Sequence, residues 1–123
     1  MNSKQVLLIE DDVILADITR EILTAYGYCV SWAGTWNEAF EILTSNTEFD
    51  VILLDLELGK QRGETLIEAL RENGVSLPKI IVMSGVPAAD LYHAAQRVRA
   101  AGVLAKPCNP AAIKAVIERV AVA

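Results

Sequence analysis

Cysteine is scarce in this chain: only Cys29 and Cys108 occur in 123 residues, at a spacing that fits neither a disulfide framework nor a zinc site. That excludes a disulfide-stapled secreted scaffold and suits a reducing compartment, so a cytoplasmic location is expected. Long hydrophobic runs are missing as well. No apolar stretch approaches the roughly 20 residues needed to cross a bilayer, which argues against a membrane span. The polar start, Met1-Asn2-Ser3-Lys4-Gln5, leads straight into an apolar run, as expected of a chain without a signal peptide. Positive charge is also short. Lys+Arg 11 against Asp+Glu 16 leaves −5, which disfavours a surface for nucleic acid or anionic lipid. Repeats, low-complexity tracts and linkers are absent.

What is present is an alternation of two patterns. Hydrophobic residues make up 53% and charged residues 22%, ordinary for an α/β domain, and the length fits one domain over residues 1–123 with no room for an added effector module. Short apolar runs predict strands over 6–9, 28–32, 50–54, 79–83 and 103–105. Runs of this kind belong to strands buried on both faces of a parallel sheet. Between them lie helical patterns over about 13–26, 36–45, 64–73, from 87 or 88 to 101, and from 110 onward. Ile14, Ile18 and Ile22 recur on one face of the first helix, which Gly27 stops. Thr35 with Glu38 forms a capping box for the second. A polar loop over 58–63 leads to the third helix, closed by Gly74, and Gly102 ends the fourth. Asn109 as N-cap and Pro110 at the first helical position open the fifth, whose apolar stripe is Ile113, Val116, Ile117 and Val120. A five-fold β-α alternation, (βα)5, predicts a flavodoxin-like, doubly wound five-stranded parallel sheet of order 2-1-3-4-5.

In that order the carboxyl ends of the first, third, fourth and fifth strands line one crevice, where open α/β sheets bind ligands. Those ends carry Glu10-Asp11-Asp12, then Asp55, then Ser84, then Lys106. Crowded carboxylates raise one another's pKa values unless a cation neutralises them, and an all-oxygen donor set suits Mg²⁺. An aspartate can also accept a phosphoryl group as an acyl phosphate. Such a transfer needs charge stabilisation around the phosphoryl oxygens, which a cation at Asp11 and Asp55, the Ser84 hydroxyl and the Lys106 ammonium would supply. Taken singly, each residue has a plainer reading: Asp12 as a helix N-cap, Ser84-Gly85 as a turn, Lys106 as a solvated lysine. Their coincidence on four strand ends favours a site.

The segments Leu7-Leu8-Ile9-Glu10-Asp11-Asp12, Val51-Ile52-Leu53-Leu54-Asp55-Leu56, Ile81-Val82-Met83-Ser84-Gly85 and Leu104-Ala105-Lys106-Pro107 together resemble the response-regulator receiver domain of two-component signalling over essentially the whole chain. The resemblance implies that Asp55 is the phosphoacceptor, charged by a phosphohistidine of a sensor histidine kinase or histidine phosphotransfer protein. It implies Asp11 as a direct Mg²⁺ ligand, Glu10 acting through water, the backbone carbonyl of Glu57 as a further ligand and Asp12 as a possible one. Ser84 matches the switch hydroxyl and Lys106 the phosphate-binding lysine, and the Lys106–Pro107 bond is expected to be cis. A downstream effector domain or protein would read the switched state. The domain is then a signalling module rather than an enzyme, apart from its own phosphorylation and slow dephosphorylation. Two positions depart from the family pattern. Gly59 stands where members often have proline, implying a more mobile loop, and Val103 stands at the switch position where members carry an aromatic residue.

Other readings compete. An FMN site would need phosphate-binding amides after the first strand, where Glu10-Asp11-Asp12 repel phosphate. A haloacid-dehalogenase-type phosphatase would use Asp55 with a second aspartate, and Glu57 matches that poorly. A toprim-like nuclease is disfavoured by the acidic balance and by Ser84 with Lys106. A degenerate receiver acting only by protein contacts, and a receiver module of a hybrid histidine kinase or longer regulator, stay open. The sole histidine, His93, reads as a solvated or half-buried helix residue, Trp32 and Trp36 as packing residues, and Cys29 and Met83 as core. Cys108 lies near the start of the fifth helix, whose dipole would lower its pKa.

Overall fold

Val6, Leu7, Leu8 and Ile9 are all fully buried, which a strand achieves only in the interior of a sheet covered on both faces. They belong to β1 (Gln5–Ile9), which pairs in parallel with β2 (Cys29–Ala33) on one side and β3 (Val51–Asp55) on the other. The computed structural model describes residues 4–45, 48–106 and 109–122. Beyond β3 the sheet continues through β6 (Lys79–Ser84) and β7 (Gly102–Ala105), giving the order β2-β1-β3-β6-β7. This is the doubly wound order the sequence predicts. The loop expected over 58–63 instead carries a hairpin, β4 (Glu57–Leu58) with β5 (Gln61–Arg62). Its two-residue connection starts with Gly59 at φ +63, the glycine-first pattern of a II′ turn.

Alternation along the strands splits the core in two. Leu7, Ile9, Ile52, Leu54, Ile80 and Val82 point to one face. Helices α2 (Trp36–Ser45), α3 (Gly63–Glu72) and α4 (Ala88–Val98) cover it with Leu43, Leu66, Ile67, Leu70 and Leu91. Val6, Leu8, Val51, Leu53, Ile81 and Met83 point to the other face, under α1 (Val13–Ala25) and α5 (Pro110–Val122). Truncating any of these leucines to alanine would cost roughly 2–5 kcal/mol.

Local signals act as expected at most boundaries. Asn109 Oδ1 accepts the Ala112 amide at 2.8 Å, capping α5, and Gly27 and Gly74 follow α1 and α3 at positive φ. Thr35 Oγ1 accepts the Glu38 amide at 3.1 Å, but the Glu38 carboxylate reaches back to the Gly34 amide rather than to that of Thr35. Helix α4 stops earlier than expected. Arg99 turns left-handed at φ 58, and the Ala101 amide leaves the helix to bond Ile80 O at 2.7 Å. Gly102 therefore lies inside β7 rather than ending the helix.

Three side chains lie where the sequence misleads. Cys29 is exposed, because it starts an edge strand instead of entering the core. On α1 the buried residues are Ala16 and Leu23, while Ile14 and Ile18 are 72% and 49% exposed. The helix turns Ile14 and Ile18 outward, packs Ala16 and Leu23 against the sheet and leaves Ile22 half-buried at the core's edge.

Gly63 opens α3 under the end of β3. A Cβ there would lie 2.7 Å from the Asp55 carbonyl oxygen and 3.1 Å from Leu56 Cα. Backbone cannot yield as a side chain can, so Gly63→Ala should cost roughly 1–3 kcal/mol in urea unfolding. Gly85→Ala, with nothing within 4 Å of the new carbon, should change stability by less than about 0.5 kcal/mol. Equal effects at the two positions would contradict this packing.

Candidate functional site

Strand register brings the polar side chains together. Ile9 pairs with Leu54, so Glu10 and Asp55 emerge side by side. Asp55 pairs with Met83 and Ser84 with Ala105, so Ser84 and Lys106 follow one step beyond. Glu10, Asp55 and Ser84 are buried, at 2%, 2% and 0% exposure.

The Lys106 ammonium lies in the centre. Its Nζ donates to Glu10 Oε1 and to Asp55 Oδ2, both at 2.9 Å. Asp55 Oδ1 accepts the Glu57 amide at 3.0 Å. Asp11 is exposed, and its Oδ2 accepts the Gly59 amide at 2.9 Å, which ties the first strand–helix loop to the hairpin turn. That bond gives the Gly59 turn a fixed partner, where the missing proline implied a looser loop. One carboxylate oxygen from each of Glu10, Asp11 and Asp55 falls within 4.8 Å of the others.

Asp12 Oδ1 accepts the Leu15 amide at 3.1 Å, which makes it the N-cap of α1, the plainer of its two readings, while its own amide donates to Glu10 Oε2 at 3.3 Å. Glu57 enters by an unexpected route, since its side chain accepts the Ser84 hydroxyl proton, Oε1 to Oγ 2.5 Å. The sequence carried no signal for that pair, because its geometry depends on the hairpin. Trp32 is more than packing: its indole N–H donates to Glu10 O at 2.8 Å and holds the end of β1. Trp36 stacks on Phe40 and donates to Thr65 Oγ1 at 3.0 Å. Val103 is half-buried on β7, beside exposed Tyr92. His93 is exposed on α4 and Met83 buried, as expected. Pro107 and Cys108 lie outside the described residues, and with them the expected cis bond and a reactive thiol.

The electrostatics follow from one ammonium among several acids. Burial, then the Glu10 carboxyl, push Asp55 up to about 6, against the opposing hydrogen bonds of Glu57 and Lys106. Burial pulls the Lys106 ammonium down, but its bonds and charge interactions with Glu10 and Asp55 outweigh that and hold its pKa above the ordinary value. Next to this cluster an apolar cavity of about 380 Å³ opens between α1 and α5, lined by Leu15, Ile18, Ile22, Met83 and Ile113 with Glu10 and Lys106 at one end.

Comparison with known proteins gives these groups a setting. The family model for the response regulator receiver domain matches residues 6–118. The chain belongs to this family. Over 111 residues it is 30% identical to the alginate biosynthesis transcriptional regulatory protein AlgB of Pseudomonas putida, covering 89% of this chain and 24% of that protein. The chain thus spans about a quarter of the length of the curated relatives it matches first. A CheY-like receiver domain protein from Methanospirillum hungatei superposes with a TM-score of 0.85 at 26% identity, covering 98% of this chain and 95% of that one. A Burkholderia pseudomallei response regulator, solved with a phosphorylated aspartic acid, calcium ion and citrate, superposes with a TM-score of 0.80 at 30% identity, covering 98% of this receiver and 69% of that chain.

The raised Asp55 carries a stability consequence. The folded chain holds this proton up to about pH 6, whereas an unfolded aspartate releases it near 3.8. The folded state binds more protons between these values, so metal-free stability falls as pH rises through that window. Asp55→Asn removes the cost. In EDTA at pH 7.5 it should melt roughly 3–6 °C above the wild type, with the gap about halved at pH 5 and closing only below about pH 4. A variant that melts lower at pH 7.5 would contradict this account.

Proposed function

We propose that this chain, over residues 1–123, is a working phosphoacceptor receiver domain that takes a phosphoryl group from a phosphohistidine of a sensor histidine kinase or phosphotransfer protein onto Asp55. The observation that supports this best is the Lys106 ammonium bonded to Asp55 beside two further carboxylates at the carboxyl edge of the sheet. In the transfer, a carboxylate oxygen of Asp55 attacks phosphorus, the bond to the donor imidazole nitrogen breaks, and the ring, already protonated on its other nitrogen, leaves as neutral imidazole. Lys106 stays as a positive charge on one phosphoryl oxygen and gives up part of its pairing with Asp55. Ser84 supplies a hydroxyl to another oxygen. The elevated Asp55 pKa fits a cluster short of positive charge, and its donors are all oxygen, as Mg²⁺ requires. Asp11 and Asp55 would hold that ion, with Glu10 through water and the Glu57 carbonyl as a further ligand. Bound there, it would supply positive charge to the carboxylates and the phosphoryl oxygens.

The outward face of α1 supports the choice of partner. Val13, Ile14, Leu15 and Ile18 are exposed at the mouth of the site, and apolar side chains grouped in this way mark an interaction surface. A helix of the phosphodonor protein docks there and presents its histidine to Asp55. Readout by an effector domain or protein takes place on the α4–β7–α5 side, where Tyr92, Arg99, Val103 and Arg119 line a cleft. No helix among the described residues is long and apolar enough to cross a membrane, and a cytoplasmic site of action fits this signalling role.

Acetyl phosphate with Mg²⁺ should leave a base-labile aspartyl phosphate on the wild type and none on a folded Asp55→Asn. Normal labelling of that variant would refute the assignment. Mg²⁺ should raise the melting temperature, and Asp11→Asn should remove most of the rise. Ile18→Asp should slow transfer from a phosphorylated histidine donor by about tenfold or more while leaving labelling by acetyl phosphate unchanged. Parallel losses with both donors would exclude α1 as the docking face.

A further inference from the structure

Ser84 has one hydroxyl proton to give, and in this structure it gives that proton to Glu57. Its Oγ lies 2.5 Å from Glu57 Oε1, while the Val86 amide donates to the same oxygen at 3.1 Å. Ser84 is fully buried, so water does not share the task. A hydroxyl bonded to a carboxylate forms a charge-assisted bond, stronger than a neutral one. Ser84 also shares its strand parity with Ile80 and Val82, on the face under α2, α3 and α4. Asp55 follows Val51 and Leu53 on the opposite parity. The resting hydroxyl is thus committed away from the acceptor.

We propose that Glu57 is a positioning residue: its carboxylate locks the Ser84 hydroxyl in the resting conformation, and release of that lock sets how readily the phosphorylated state forms. The inference rests on Asp55 being the phosphoacceptor. Two acceptors then compete for one proton, the Glu57 carboxylate and a phosphoryl oxygen, and both are anionic. The phosphoryl group takes the proton only when the Glu57 side chain turns away. Hairpin pairing with Arg62 and the hydrogen bond its amide donates to Asp55 Oδ1 hold the Glu57 backbone meanwhile. The same movement withdraws the partner that fixes Ser84 Oγ under the Val86 amide, which links the switch to the loop before α4. A ligand shifts two states only by its differential contacts with them, and Glu57 lowers that difference by stabilising the resting one.

The test uses beryllofluoride as the phosphoryl mimic at saturating Mg²⁺, with the wild type, Glu57→Ala, Glu57→Gln, Ser84→Ala and the Glu57→Ala/Ser84→Ala double variant. Freed of its competitor, Glu57→Ala should bind the mimic about tenfold more tightly. Glu57→Gln, which keeps an acceptor without the charge, should fall between. In the Ser84→Ala background, Glu57→Ala should have no effect, because a lock needs both members. A tenfold gain that persists there would mean Glu57 acts by its charge alone and would overturn the proposal, as would unchanged affinity in Glu57→Ala. The mimic-free protein gives a second readout. The Val86 amide resonance should move in Glu57→Ala and less in Glu57→Gln, and an unmoved resonance refutes the lock directly. A wild type that fails to bind beryllofluoride overturns the phosphoacceptor reading, and the proposal with it. A wild type that binds while Glu57→Ala matches it overturns only the role of Glu57.

Discussion

A single ammonium between two buried carboxylates is the interaction on which the rest of this site depends. Lys106 joins the end of β7 to the ends of β1 and β3, across 96 and 51 residues of sequence. Without it, Glu10 and Asp55 would face each other in a setting where unpaired charge is costly. With it, Asp55 remains out of balance, buried and raised to about 6. That residual imbalance is useful to a receiver. It favours whatever brings positive charge to the cluster, and it keeps the aspartate from being fully neutralised by its own fold.

The parallel sheet was legible because the central runs 6–9, 51–54 and 80–83 are short and apolar throughout, a pattern that two-sided burial explains. The site was legible for the same reason, since each polar residue directly follows one of those runs. Register, a property of the sheet, then turned four separate strand ends into neighbours. The hairpin of β4 and β5 was not legible. Its strands are two residues each, too short for alternation to show, and its existence depends on Gly59 adopting positive φ. The Glu57–Ser84 bond went unseen with it, because that bond follows from where the hairpin carries a side chain.

Other misreadings have causes of their own. Periodicity marks an apolar face on a helix without saying which way the face turns. On α1 the sheet is met by Ala16 and Leu23, with Ile22 half-buried beside them, while Ile14 and Ile18 lie outward. Cys29 is apolar in composition and lies in a strand, yet that strand is an edge, so the rule that cysteines are buried fails there. Arg99 is similar. Its left-handed backbone ends α4 without the glycine that normally signals such a stop, so the boundary at Val98 had no mark in the sequence.

The long reach of Lys106 also bears on the order of assembly. The ammonium directly follows β7, the last strand among the described residues, whereas the two acids it pairs with lie at the ends of β1 and β3. Non-local parallel pairing is slow in general, and here it has an electrostatic handicap of its own. Any route that joins β1 to β3 before β7 arrives must bring Glu10 beside Asp55 with no cation between them. Along such routes protons, salt or divalent ions would ease the encounter. The feature that equips the finished domain to attract positive charge thus makes the unfinished one most in need of it.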